Sequence, residues 1–165
     1  MRKPIAGVMG PGEQATLSEQ DTAYLLGQKI AEQGWVLLTG GRNEGVMDAA
    51  SRGAKQVNGL TVGILPGSDL TNVSTAVDIP ILTGMGSARN NINVLSCNVI
   101  FVCGMGRGTA SEVALALKAN KQVILLNSDP TSQAFFKNLA TDRLWTATTP
   151  DEAVAIAQKI LAQQF

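Results

Sequence analysis

Gly104-Met105-Gly106-Arg107-Gly108-Thr109-Ala110-Ser111-Glu112 follows an apolar run, Val99 to Val102, and precedes a second, Val113 to Leu117. The first run reads as a buried strand and the second as a buried helix. A strand, then glycines, then a helix start is the arrangement that cradles a phosphate. Glycines let the backbone approach an anion, and the free N–H groups of the first helical turn point at it. An anionic small-molecule site is therefore the first functional expectation, and the strand–loop–helix unit is the first element of an α/β fold.

Working outward, strands and helical stripes alternate along the whole chain. Residues 5–9 read as a strand closed by Gly10-Pro11-Gly12. A helix with Ala23, Leu26, Gly27, Ile30 and Ala31 on one face follows, at i, i+3, i+4, i+7 spacing. Residues 35–39 give a second strand, ended by Gly40-Gly41-Arg42 and Gly45. The next helix carries Val46, Ala49, Ala50, Gly53, Ala54 and Val57 on one face. Residues 60–65 form a third strand, 66–77 a polar surface loop, and 78–82 a short strand that Pro80 places at an edge. A helix over 86–97 leads into the strand at 99–102. A strand at 122–126, a helix at 131–139, a strand at 143–147 and a helix burying Ala153, Ile156, Ala157, Ile160 and Leu161 complete the chain.

This alternation predicts a Rossmann-like α/β fold, a mostly parallel sheet with helices on both faces. One domain over residues 1–165 is expected. Ligands in such sheets bind beyond the carboxyl ends of the strands, where the strand order reverses. The three glycine loops, at 10–12, 40–45 and 104–108, all lie at such ends and are expected to line one crevice.

Composition narrows the chemistry. Histidine is absent, which excludes Ser-His-Asp and Cys-His catalysis. The formal net charge is zero and aromatic residues make up 4 % of the chain. Both count against nucleic-acid partners, including a DNA-processing Rossmann module. No apolar run reaches the roughly 18 residues of a membrane span, and no cleavage pattern follows the first apolar run. Cys97 and Cys103 have neither the number nor the spacing of a zinc site. They read as buried free thiols in a reducing, cytoplasmic setting.

Arg42, Arg89 and Arg107 each adjoin a glycine loop, and guanidinium forks match phosphate and carboxylate oxygens. Asn90, Asn91 and Asn93 either read polar ligand edges or simply solvate a helix, while Glu44 and Asp48 are candidates to neutralise Arg42. Glu112 has two readings. Thr109-x-x-Glu112 fits a capping box, as do Thr16-x-x-Glu19 and Thr149-x-x-Glu152; alternatively the carboxylate meets the ligand.

Gly106 to Glu112 is similar to the GGxGTxxE motif of the Rossmann-like superfamily that includes the LONELY GUY phosphoribohydrolases, often mislabelled lysine decarboxylases. Thr39 to Met47 resembles their second glycine motif. Ser87-Ala88-Arg89-Asn90, followed by the strand at 99–102, looks more like the molybdenum cofactor carrier branch of that superfamily. The likeness runs over roughly residues 4–127. It implies a homo-oligomer, dimer or tetramer, that binds and protects phosphorylated molybdopterin, with molybdoenzymes as acceptors. The implied binding residues are Gly10, Gly12, Gly40, Gly41, Arg42, Gly45, Arg89, Asn90, Gly104, Gly106, Arg107, Gly108, Thr109 and Glu112. The enzyme branch instead cleaves the N-glycosidic bond of nucleoside 5′-monophosphates, and its catalytic pair would fall on Arg89 and Glu112. Three departures count against hydrolysis here. Gly104-Met105-Gly106 replaces Pro-Gly-Gly, Ser111 replaces the first of two paired glutamates, and the stretch from Met85 to Arg89 is one residue longer. Phosphate binding, which needs backbone N–H groups and arginines, is untouched by them.

Overall fold

The computed structural model describes residues 2–140 and 142–164. Seven parallel strands form one sheet in the order β4-β3-β2-β1-β5-β6-β7. They are β1 (Ile5–Met9), β2 (Val36–Thr39), β3 (Thr61–Leu65), β4 (Ile79–Leu82), β5 (Val99–Cys103), β6 (Gln122–Leu126) and β7 (Leu144–Thr146). The helices between them are α1 (Leu17–Glu32), α2 (Gly45–Gln56), α3 (Arg89–Ser96), α4 (Arg107–Lys118), α5 (Pro130–Leu139) and α6 (Pro150–Leu161). This is the expected Rossmann-like fold. From β1 the chain builds outward to β4, then returns to lay β5 against the other side of β1, pairing Ala6 with Val99 and Met9 with Val102. The switch point therefore lies between the carboxyl ends of β1 and β5.

The central strands are apolar on both faces because both are covered. Val99, Phe101 and Cys103 point into a core built with α1, α2 and α6. Ile100 and Val102 point the other way, into a core with Val94 of α3, Val113 and Ala116 of α4, and Phe136 of α5. The edge strand β4 is exposed along its length. Pro80, which has no N–H to donate, sits there as expected. No helix among the described residues is long and apolar enough to cross a membrane.

Helix α1 starts with a complete capping box. The Glu19 N–H donates to Thr16 Oγ1 at 3.2 Å, and Glu19 Oε2 accepts from the Thr16 N–H at 2.8 Å. Thr16→Ala is expected to lower stability by about 1 kcal/mol, read as a shift of the urea midpoint. At 109–112 the same sequence pattern does not cap. Helix α4 begins at Arg107 with Gly106 as its N-cap, so Thr109 already lies inside the helix. The capping reading of Glu112 is thereby corrected. At Thr149 half of the box forms: Thr149 accepts from the Glu152 N–H, while the Glu152 carboxylate turns to the Thr148 N–H and hydroxyl.

Two further expectations change. The helix expected over 86–97 opens with a 3-10 turn, Gly86–Ala88, before α3, because Gly84 and Gly86 hold φ of 61° and 55°. The loop 66–77 is not wholly a surface loop. Ser74 and Ala76 are buried in it, and Ser74 ties it to the glycine loop after β2, donating its N–H to the Gly41 carbonyl at 2.9 Å and its hydroxyl to Asp48 at 2.7 Å.

Candidate functional site

The loops after β1, β2 and β5, together with the start of α3, enclose a cleft of about 470 Å³ at the switch point. Gly10 and Gly12 line it from the first loop, and Gly40 and Arg42 from the second. Arg89 and Asn90 come from α3, and Gly106, Arg107, Gly108, Thr109 and Glu112 from the last loop and α4. Three of the expected glycines, Gly41, Gly45 and Gly104, stand behind this lining. Each has a left-handed backbone, with φ of 78°, 51° and 76°. A Cβ on Gly45 would come within 2.1 Å of the Gly12 carbonyl oxygen. These glycines shape the loops that carry the lining residues.

The first turn of α4 is open toward the cleft. No side chain caps it and it holds no acidic residue. Gly108 is exposed, and a Cβ there would meet nothing within 4 Å. Thr109 Oγ1 is buried with no hydrogen-bond partner among the described residues, which is costly unless a ligand completes it. Helix α2 has no such freedom, because its Val46 N–H donates to the Pro11 carbonyl at 3.0 Å.

The charges are balanced rather than uniformly positive: Arg42, Arg89 and Arg107 share the cleft with Glu13, Glu44 and Glu112. Arg42 pairs with Glu44 at 2.7 Å. Asp48 does not serve Arg42; it pairs with Arg52 at 2.8 Å. Arg89 donates from Nη1 to Asn90 Oδ1, while its Nε is buried without a partner. Asn90 donates in turn to Ser111 Oγ at 3.0 Å. Burial lowers the pKa of Arg89, the nearby Glu112 charge opposes that, and Arg42 adds to it. Asn91, by contrast, is exposed on α3.

Glu112 is 7 % exposed and accepts from Asn93 Nδ2 at 2.9 Å. Burial pushes its pKa up to about 7, against the pull of the Asn93 hydrogen bond and the Arg89 charge. Between the ordinary value of 4.5 and about 7, the folded chain holds a proton that the unfolded chain has released. Raising the pH through that window therefore favours unfolding, by up to about 3 kcal/mol. Glu112→Gln is expected to raise the urea midpoint at pH 8 and to leave it near the wild-type value at pH 5.

Cys97 and Cys103 are free, buried thiols whose pKa burial lifts to about 12, which keeps both protonated at neutral pH. No cluster of three metal-ligating side chains occurs among the described residues. Glu13, Gln14, Met47 and Ser87 also line the cleft, although no motif marks them as lining residues. Their one signal is adjacency to the glycine loops and to Arg89.

Residues 3–154 match the model of the SLOG cluster4 family. The chain belongs to this family. The chain is 60 % identical to the molybdenum cofactor binding protein from the phototrophic bacterium Rippkaea orientalis, whose structure it matches with a TM-score of 0.96 over 98 % of this chain and 99 % of that one. The molybdenum cofactor carrier protein of Chlamydomonas reinhardtii matches at 51 % identity and a TM-score of 0.94, with the same coverage. An uncharacterized protein of Archaeoglobus fulgidus is 41 % identical over 152 residues, 90 % of each chain. The likeness read from residues 4–127 of this SLOG cluster4 protein thus extends over almost its whole length.

Proposed function

We propose that this protein binds and protects the molybdenum cofactor as a carrier, with residues 1–165 acting as one binding unit. The observation that carries the reading is the uncapped first turn of α4, with Gly108 open and Thr109 Oγ1 unpartnered. It supports placing the cofactor's phosphate on the N–H groups there. Arg89 and Arg107 neutralise the anion, with Arg42 contributing the charge it shares with Glu44, and Gly10, Gly12, Gly40 and Gly106 let the ligand approach the backbone. Asn90 and Glu112 offer polar contacts to the ring system. A volume of about 470 Å³ suits a ligand of that size, since small-molecule clefts span roughly 300–1,000 Å³. The 60 % identity to a molybdenum cofactor binding protein supports the choice of cargo.

The protein's part is to hold and shield; molybdenum chemistry belongs to the acceptor. Loaded protein is expected to restore activity to a cofactor-free molybdoenzyme. Arg89 and Glu112 share the cleft, as a nucleotide phosphoribohydrolase would require. Incubation with nucleoside 5′-monophosphates separates the two functions. The carrier reading expects no free base or ribose 5-phosphate, whereas release that is lost in Glu112→Gln would assign hydrolysis instead.

A cytoplasmic homo-oligomer completes the reading. Helices α3 and α4 lie on the same sheet face, and Leu95 and Ala114 on them are exposed, which supports a second copy covering them. A monomer mass in light scattering at micromolar concentration would remove that part.

A further inference from the structure

The cleft holds a buried carboxyl and a guanidinium that do not pair. Glu112 has Asn93 as its hydrogen-bond donor, and no cation lies within salt-bridge distance of it among the described residues. Arg89 is engaged by Asn90 and keeps its Nε free. Glu112 sits one helical turn beyond the anion cradle of the same helix. A buried carboxylate with no salt-bridge partner, one helical turn from a bound phosphate, is a direct electrostatic conflict.

We propose that Glu112 couples binding to proton uptake: the phosphorylated ligand enters with the Glu112 carboxyl neutral and leaves as that carboxyl ionises. The inference rests on the carrier reading of the cleft and adds its means of release. Proton and ligand are reciprocally linked, because a dianion beside the carboxyl favours its neutral form. The neutral acid can then donate a hydrogen bond to a ligand oxygen.

The groups facing Glu112 do not cancel the effect. Arg89 approaches from α3 and Cys97 from the residue that ends it, and the Cys97 thiol stays neutral because burial lifts its pKa to about 12. Arg107 stands on its own helix. Arg42 and Glu44 line the same cleft from the loop after β2 and pair with each other, and Glu13 lines it from the loop after β1. Burial has already brought the carboxyl near neutrality, with a pKa of about 7, so a small perturbation suffices to protonate it.

The test is anaerobic calorimetric titration with molybdenum cofactor between pH 7 and 8, in buffers of different ionisation enthalpy. A phosphomonoester, with its second pKa near 6, is already a dianion in that window. Wild type is expected to take up a substantial fraction of a proton, and its affinity to fall about fivefold from pH 7 to pH 8 as the competent fraction shrinks. Glu112→Gln should bind without proton uptake and with no pH slope. Asn93→Ala, which removes the hydrogen bond favouring the ionised carboxyl, should move the fall to higher pH. Equal slopes and no uptake in wild type and Glu112→Gln would overturn the inference while leaving the carrier reading standing. No cofactor binding by folded wild type would overturn both.

Discussion

Gly108→Val is expected to weaken binding of the molybdenum cofactor at least a hundredfold without disturbing the fold. Position 108 is exposed in the first turn of α4, and a Cβ built there meets no atom within 4 Å. Its φ is not left-handed, so no backbone strain arises, and valine is a better helix former than glycine. The new methyls project into the space that an anion needs in order to reach the N–H groups of the first turn. Each hydrogen bond to a charged oxygen contributes about 1.5–3 kcal/mol. Losing two of them corresponds to at least about a hundredfold in affinity. Calorimetric titration gives the affinity, and a thermal melt within a degree or two of wild type shows that the fold is intact. Unchanged affinity in that folded variant would move the phosphate elsewhere in the cleft.

Gly53→Ala is expected to be the most damaging single-methyl change in the core, for the opposite reason. Helices α1 and α2 cross at two glycines. A Cβ on Gly53 would stand 1.9 Å from the Tyr24 carbonyl oxygen, and one on Gly27 would stand 2.1 Å from that of Ala50. Both obstacles are backbone atoms, which cannot rotate aside, so the helices must separate. Overpacking of this kind costs about 1–3 kcal/mol, which outweighs the roughly 0.5–1 kcal/mol gained by removing a helical glycine. Urea denaturation should show the loss. Gly67→Ala is the control, since Gly67 has open space around its Cβ position and ordinary φ. It should be neutral or slightly stabilising.

These two glycines mark what is and is not legible in the sequence. Gly108 sits in a motif whose strand–loop–helix context is local, so its place at the open helix start can be read directly. Gly53 falls on an apolar helical stripe and reads as core, but its contact with Tyr24 depends on a helix crossing that no local pattern encodes. The strands follow the same rule. Residues 5–9 and 122–126 were legible to the residue because apolar runs bounded by turns delimit them, and Pro80 announced an edge. The pairing of Ala6 with Val99, which creates the switch point, is a long-range event. The Thr-x-x-Glu pattern shows the limit of local grammar. It caps fully at Thr16, partly at Thr149 and not at Thr109, where Gly106 and Arg107 start the helix earlier and turn Glu112 inward. The arginines of the cleft were legible from their glycine neighbours. Glu13 and Met47 were not, since each is placed by the folding of its loop or helix over the cleft rather than by a motif. Ser74 lay hidden for the same reason, in a polar stretch that tertiary contacts partly bury.

Binding of the cargo itself is the most direct test of the account. Wild-type protein and Gly108→Val should be titrated anaerobically with molybdenum cofactor released from a molybdoenzyme and then passed over a sizing column. The cofactor is expected to co-elute with wild type in a saturable, stoichiometric amount and to be absent from the variant. Failure of folded wild type to retain the cofactor, or equal retention by Gly108→Val, would contradict a carrier that holds its ligand at the first turn of α4.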